Sequence, residues 1–182
     1  MGVMGYGGIG AEVGRLAKGL GMRVVGTRCS VVAPERDRDG ADLLLPASAL
    51  KELASQSDFL AICAQLTEET RGAIDRDVLG AMKPTAVLIN VARGELVDED
   101  ALIDALRNDR LRGAVMDVFE GELEGRQPRK ELMELPQVLI TSHAASGSVN
   151  LAGAMRELLR ENVRRFVAGE PLVNLVDRSR GY

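Results

Sequence analysis

The sequence predicts an α/β fold, a doubly wound parallel sheet. Three observations carry that expectation. Short apolar runs alternate with amphipathic stretches along nearly the whole chain, as in successive βαβ units. The runs are continuous rather than alternating, as strands covered on both faces require. And the chain opens on MGYGGIG at residues 4 to 10, where Gly5, Gly7 and Gly10 fit the G-x-G-x-x-G pattern that joins a first strand to its helix.

Each element follows in order. Gly2 to Met4 is a minimal first strand. A helix follows from about Ile9 to Leu20, with Ile9, Val13, Leu16 and Leu20 at helical spacing, and Gly21 ends it. MRVVGT is the second strand. Val31 to Gly40 is polar and contains a proline, which predicts a loop, and ADLLL is the third strand. Ala47 to Gln56 is a helix carrying Leu50 and Leu53, and DFLAIC is a buried strand. Asp75 caps a helix from about Arg76 to Met82, which Pro84 prevents from continuing. TAVLINVA is the next strand, and Asp98 caps EDALIDALRND, where Leu102, Ile103 and Leu106 share a face. LRGAVMDVF is a strand, Glu120 to Arg129 a polar loop, and QVLIT the last strand. A long amphipathic helix from about Ser148 to Ala168 closes the chain, with an apolar stripe of Leu151, Met155, Leu158, Leu159, Val163 and Phe166. The composition shift near Ser146 to Ser148 divides a dinucleotide-binding domain, residues 1–147, from a terminal helix and tail, residues 148–182.

Composition narrows the function. The 182 residues are 46% hydrophobic and 27% charged, which suits a soluble globular protein. Aromatics are 3% and Trp is absent, so the core is expected to be aliphatic. A net charge of -4 gives no basic footprint for nucleic acid. No apolar run approaches the ~20 residues that span a bilayer, and no secretory leader is expected. Cys29 and Cys63 lack metal-type spacing and read as reduced thiols of a cytoplasmic protein, and a single His argues against a His-rich metal site.

The glycine turn assigns roles by position. Gly5 permits the tight turn, Gly7 lets the backbone approach a pyrophosphate, and Gly10 lets helix and strand pack closely. The phosphates would sit at the helix N-terminus, where unpaired N–H groups and the dipole favour anions. The second strand ends at Arg28 rather than at the acid that grips a ribose 2′-hydroxyl, and a cation there accommodates a 2′-phosphate. NAD or NADP is therefore the expected cofactor, with NADP favoured. Alternatively, Arg28 is a solvated surface charge.

Three later sites fall at strand ends, where an open α/β sheet binds ligands. Arg93 follows one strand, Asp117, Glu120 and Glu122 follow the next, and His143 follows the last. Alone, an Arg on a loop is usually solvated and a lone His structural. Together they suggest reduction of a 2-keto acid. The substrate carboxylate wants a fixed bidentate cation, which Arg supplies better than Lys. The carbonyl oxygen gains charge as hydride arrives and needs a proton donor, which suits His. A carboxylate beside that His favours the imidazolium and fixes its orientation.

The stretch LTEETRGAIDRDVLGAMKPTAVLINVARGELVDEDALIDALRNDRLRGAVMDVFEGE, followed by ITSHAAS, resembles the D-isomer-specific 2-hydroxyacid dehydrogenases, specifically their Rossmann-type nucleotide-binding domain. The resemblance covers nearly the whole chain, from GVMGYGGIG to AGEPLVNLV. It implies a hydride-transferring oxidoreductase for small 2-keto or 2-hydroxy acids that usually forms a homodimer. It implies Arg93 as the substrate-orienting Arg, Glu122 as the partner carboxylate and His143 as general acid/base. It implies cofactor contacts at Gly8, Ile9, Arg28, Ala64, Gln65, Thr70, Val91, Ala92 and Asp117. Glu120 matches a family position other than the catalytic one. Gln65, Ser142 and Ser146 depart from residues common in the family, and Arg28 departs from its usual Asp. Family members begin with a substrate domain, on which the final helix packs. That domain is missing here, so the chain is expected to be either a fragment of a longer protein or a shortened gene product, with the stripe of its last helix open to a partner. A non-catalytic dinucleotide-binding module, such as a redox-sensing corepressor, is the alternative. Another Rossmann enzyme would need different strand-end residues.

Overall fold

The computed structural model describes residues 1–148 and 150–178. It falls into two compact units, Met1–His143 and Ala144–Tyr182. The first holds a single sheet of β1 (Gly2–Met4), β2 (Val25–Arg28), β3 (Glu35–Arg38), β4 (Ala41–Pro46), β5 (Phe59–Ile62), β6 (Val87–Asn90), β7 (Gly113–Met116) and β8 (Val138–Ile140). Between them lie helices α1 (Gly8–Gly19), α2 (Leu50–Gln56), α3 (Arg76–Ala81), α4 (Glu99–Arg107) and α5 (Lys130–Met133). The second unit contains α6 (Leu151–Ala168).

The strand order is β3-β4-β2-β1-β5-β6-β7-β8. Every pairing is parallel except that of β3 with β4. The chain winds outward in one direction from β1 to β4, then crosses back to β5 and winds the other way. The order therefore reverses between β1 and β5, the switch point at which such sheets bind ligands beyond their carboxyl ends.

Alternation along the strands sends side chains to opposite faces and makes two cores. Val3, Tyr6, Ala17, Val24, Val31, Ala41 and Leu44 form the smaller one, which includes Ala17 of α1. The larger holds Leu60, Ile62 and Leu88 from the strands with Leu53, Leu79, Leu102 and Leu106 from α2, α3 and α4. Among the described residues Tyr6 is the one aromatic that enters either core, and the interior there is otherwise aliphatic.

The segment expected to be a loop, Val31 to Gly40, contains an edge strand instead. Glu35, Arg36 and Arg38 pair antiparallel with Leu44, Leu43 and Ala41. Charged residues are typical of an edge, where they discourage pairing with a further chain. The hairpin turns at Asp39 and Gly40, both at positive φ. The short α5 lies just beyond the expected polar loop, and within that loop Glu122–Glu124 form one 3-10 turn. α6 starts at Leu151 rather than Ser148, and Val149 lies outside the described residues.

Candidate active site

The turn after β1 is shaped by side chains that are missing. Gly5 has φ +87°, and a Cβ on it would lie 2.6 Å from the backbone of Ala64. This close approach places Cys63 and Ala64, just past β5, against the turn. A Cβ on Gly10 would meet the Gly5 carbonyl oxygen at 2.2 Å and Val3 at 2.9 Å, so α1 packs directly on β1. Around Gly7 and Gly8 the situation is opposite: a Cβ would meet nothing within 4 Å. Gly7 caps α1 with no side-chain hydrogen bond, and the first turn carries no acid. The N–H groups of Gly8, Ile9 and Gly10 head the helix without intrahelical acceptors, as first-turn amides must. Open space, unpaired donors and a positive dipole end fit a pyrophosphate. Ile9 is 67% exposed at the same place.

Arg28 ends β2 half-buried, but its guanidinium is engaged. Nη1 lies 2.6 Å from Asp39 Oδ2 in the hairpin turn. A ligand phosphate reaching Arg28 must compete with that carboxylate. Thr70 is likewise committed: its hydroxyl donates to the Gln65 carbonyl at 2.7 Å and accepts the Thr67 N–H at 2.8 Å, closing the loop after β5.

At the other strand ends, backbone ties set the positions of side chains. Asn90, fully buried at the end of β6, donates from Nδ2 to the Arg93 carbonyl at 2.8 Å and accepts the Ala92 N–H at 3.1 Å. This bracket holds Val91, Ala92 and Arg93 in a tight loop. The Arg93 side chain is exposed and donates to the Ala92 carbonyl at 2.6 Å. Asp117 follows β7 and is 4% exposed. Its N–H donates to the Asn90 carbonyl at 2.9 Å, and its own carbonyl accepts the His143 N–H at 3.0 Å. The Thr141 hydroxyl donates to its carboxylate. Asp117 thus joins the ends of β6, β7 and the segment after β8. Sequence reasoning gave no role to Asn90; its one signal is a polar residue closing an otherwise apolar strand.

His143 adopts φ +53°. That region costs a non-glycine residue about 1–3 kcal/mol and recurs at functional sites. Its Nδ1 lies 2.8 Å from Glu122 Oε1, with the Glu122 side chain only 9% exposed and the His143 side chain 42%. The groups touch at ion-pair distance without an aligned hydrogen bond, and Oε1 has no other partner among the described residues. Glu120, two residues earlier, does not join this pair and is exposed.

The Met1–His143 unit therefore presents, at the carboxyl ends of one sheet, a glycine turn open to phosphates, an exposed Arg, and a His against a buried carboxylate. Comparison with known proteins gives this arrangement a family. The sequence profile of the D-isomer specific 2-hydroxyacid dehydrogenase NAD binding domain matches residues 1–145. A glyoxylate reductase of Thermococcus onnurineus is 38% identical over 178 residues, which cover 98% of this chain and 51% of that protein. The chain spans about half the length of the glyoxylate reductases it matches. Among solved structures, a D-isomer specific 2-hydroxyacid dehydrogenase from Xanthobacter autotrophicus in complex with NADPH superposes with a TM-score of 0.85 at 34% identity, covering all of this chain and 72% of that one. An NADPH-dependent glyoxylate/hydroxypyruvate reductase from Sinorhizobium meliloti in complex with NADP gives 0.86 at 29% identity, covering all of this chain and 56% of that one. By its profile match and the glycine turn that the fold sets at the β1/β5 switch point, the chain belongs to the D-isomer specific 2-hydroxyacid dehydrogenases, of which it carries the NAD(P)-binding domain.

Proposed function

We propose that the chain is the cofactor-binding and acid–base half of an NAD(P)H-dependent reductase of small 2-keto acids, of glyoxylate or hydroxypyruvate size. The observation that carries this is the His143–Glu122 contact at 2.8 Å, assembled at the same sheet edge as Arg93 and the glycine turn. The Gly5 to Gly10 turn and the α1 N-terminus take the pyrophosphate, with Ile9, Ala64, Gln65, Thr70, Val91, Ala92 and Asp117 lining the rest of the dinucleotide. When bound, a reduced nicotinamide supplies the hydride chemistry. Arg93 orients the substrate carboxylate through two parallel N–H bonds. Glu122 engages Nδ1 of His143, so Nε2 is the ring nitrogen that donates a proton to the keto oxygen. Asp117 holds the His143 backbone in its left-handed conformation during this exchange.

NADPH is the preferred reductant in this reading. Arg28 at the end of β2 supports it, as do relatives of known structure described in complex with NADPH or NADP. Asp39 is the internal competitor that a 2′-phosphate must displace from Arg28. The reading extends to a homodimer in the cytoplasm. No helix among the described residues is long and apolar enough to cross a membrane. The exposed Met155, Leu159, Val163 and Phe166 of α6 are the kind of surface that an interface covers.

Two measurements test the reading. Fluorescence titration of this chain should give saturable binding of NADPH, tighter than of NADH, with the preference abolished in Arg28→Ala. Saturable binding of neither would reject the cofactor site. In a form of the protein that turns over glyoxylate or hydroxypyruvate, His143→Gln should lower turnover by about 10²–10⁴-fold, the usual worth of a positioned acid/base. Cofactor affinity should stay within about twofold; a parallel fall would overturn the assigned role.

A further inference from the structure

Glu99 is a charged residue that this chemistry does not touch, yet the fold buries it to 3% exposure. It stands in the first turn of α4, where the helix dipole favours a carboxylate. Asp100, one residue on, meets that preference from an exposed position. Burial therefore needs another reason, because desolvation disfavours the charged form. Desolvation pushes the Glu99 carboxyl above the usual range, and a backbone N–H works against it.

That N–H belongs to Glu120 and donates to Glu99 Oε1 at 2.9 Å. Glu120 lies on the loop after β7, two residues before Glu122. The same loop is gripped a second time. A Cβ on Gly94 would lie 2.0 Å from the Phe119 carbonyl carbon and 2.3 Å from the Glu120 nitrogen. Gly94 directly follows Arg93. The loop after β6 and the loop after β7 thus meet backbone to backbone at Gly94, and Glu99 ties them again from the start of α4.

We propose that Glu99 is a positioning residue, which locks the loop bearing Glu122 onto the loop bearing Arg93 and so sets the Glu122 carboxylate against His143. The assignment rests on the reading of Arg93, Glu122 and His143 given above. It explains why a carboxylate is buried beside Glu120 and why residue 94 is glycine although its φ is not positive.

His143 is the only histidine of the chain, so its imidazole NMR signals report on the pair without substrate or turnover. Glu122→Ala defines the signal of an imidazole that has lost its carboxylate. Glu99→Ala is expected to move the His143 signals more than half of the way toward that position. Glu99→Gln keeps an acceptor oxygen for the Glu120 N–H and should leave them near the wild-type position. Leu53→Ala, in the core under α2, should destabilise the fold and leave the signals in place. If Glu99→Ala does not fold, Glu99→Asp withdraws the acceptor by one methylene and should move the signals in the same direction. A folded Glu99→Ala or Glu99→Asp protein with wild-type His143 signals overturns the proposal. So does a Glu99→Gln protein that moves them as far as Glu99→Ala does, or a Leu53→Ala protein that moves them equally. In a form that turns over a 2-keto acid, Glu99→Ala should cost about 10²-fold in kcat, the scale of a misplacement near 1 Å, with KM changed by less than about threefold. If no form of the protein, one with a substrate domain included, turns over a 2-keto acid while the signals move as stated, the functional reading is rejected and the positioning role stands.

Discussion

Helices α1 and α4 both follow a parallel strand, β1 and β6, and their first turns are finished in opposite ways. At α4, Asp98 caps the helix by accepting the Ala101 N–H at 3.0 Å, and Glu99 and Asp100 add negative charge to the first turn. α3 follows the same plan, with Asp75 accepting the Val78 N–H at 2.8 Å. At α1 the cap is Gly7, no side chain accepts, and no acid stands in the first turn. A helix N-terminus needs acceptors for its amides and favours negative charge. In α3 and α4 the chain supplies both. In α1 it supplies neither and keeps the space around Gly7 and Gly8 open. α2, α5 and α6 also lack a side-chain cap, so it is the open glycine turn at α1 together with the missing cap that supports the proposed anionic ligand there.

The sharpest way to break that contrast is to give α1 the cap its counterparts have. Gly7→Asp fits the fold: φ is -99°, and a Cβ there meets nothing within 4 Å. Asp caps at least as well as Gly. Thermal stability without cofactor should hold or rise slightly. Binding of NADPH and of NADH should weaken by about 100-fold, because a carboxylate would stand in the place proposed for the pyrophosphate and like charges juxtaposed cost several kcal/mol. If dinucleotide affinity were unchanged, the phosphates would not sit at α1.

The next effect separates the two kinds of glycine in the turn. In a helix, Gly→Ala ordinarily stabilises by about 0.5–1 kcal/mol. At Gly10 the sign should reverse, because the new methyl would sit 2.2 Å from the Gly5 carbonyl, which is backbone and cannot rotate away. A cost of about 1–3 kcal/mol is expected for such overpacking. For a chain of this length that lowers Tm by about 2–4 °C per kcal/mol. Gly7→Ala meets no clash, but Ala is a poorer N-cap than Gly by about 0.5 kcal/mol, so Tm should fall by no more than about 1–2 °C. Thermal unfolding of the two variants side by side decides whether Gly10 is glycine for packing and Gly7 for the ligand.

Much of this was legible in the sequence, and the exceptions share a cause. Continuous apolar runs marked the parallel strands, and the capping aspartates marked the starts of α3 and α4, because both signals are local. The glycine spacing suggested the turn, and the strand ends suggested Arg93, Glu122 and His143, which the fold brings to one edge of the sheet. What escaped was set by neighbours distant in sequence. β3 reads as a polar loop because its pairing with β4 is formed by backbone groups and its side chains are charged. Arg28 reads as a cation awaiting a phosphate, while the fold pairs it with Asp39, eleven residues on. Asn90 and Glu99 receive no role from the sequence. Their burial follows only from the partners they meet, the loop of Arg93 and the N–H of Glu120.

The smallest effect sharpens the comparison from the side of α4. Asp98→Ala removes the acceptor of the Ala101 N–H and one favourable charge at the dipole end. Loss of an N-cap costs about 1 kcal/mol, so Tm should fall by about 2–4 °C. Cofactor affinity should stay within about twofold, since Asp98 serves the helix and not the dinucleotide. The outcome is informative because α1 has no internal cap whose removal could be measured. A loss at α4 that is absent in Gly7→Asp would mean that the chain itself finishes one helix and leaves the other to its ligand. If Asp98→Ala left Tm unchanged, water would satisfy α4 as well as its aspartate does. An uncapped N-terminus would then say nothing special about α1, and the assignment of the phosphates would rest on the open space at Gly7 and Gly8 alone.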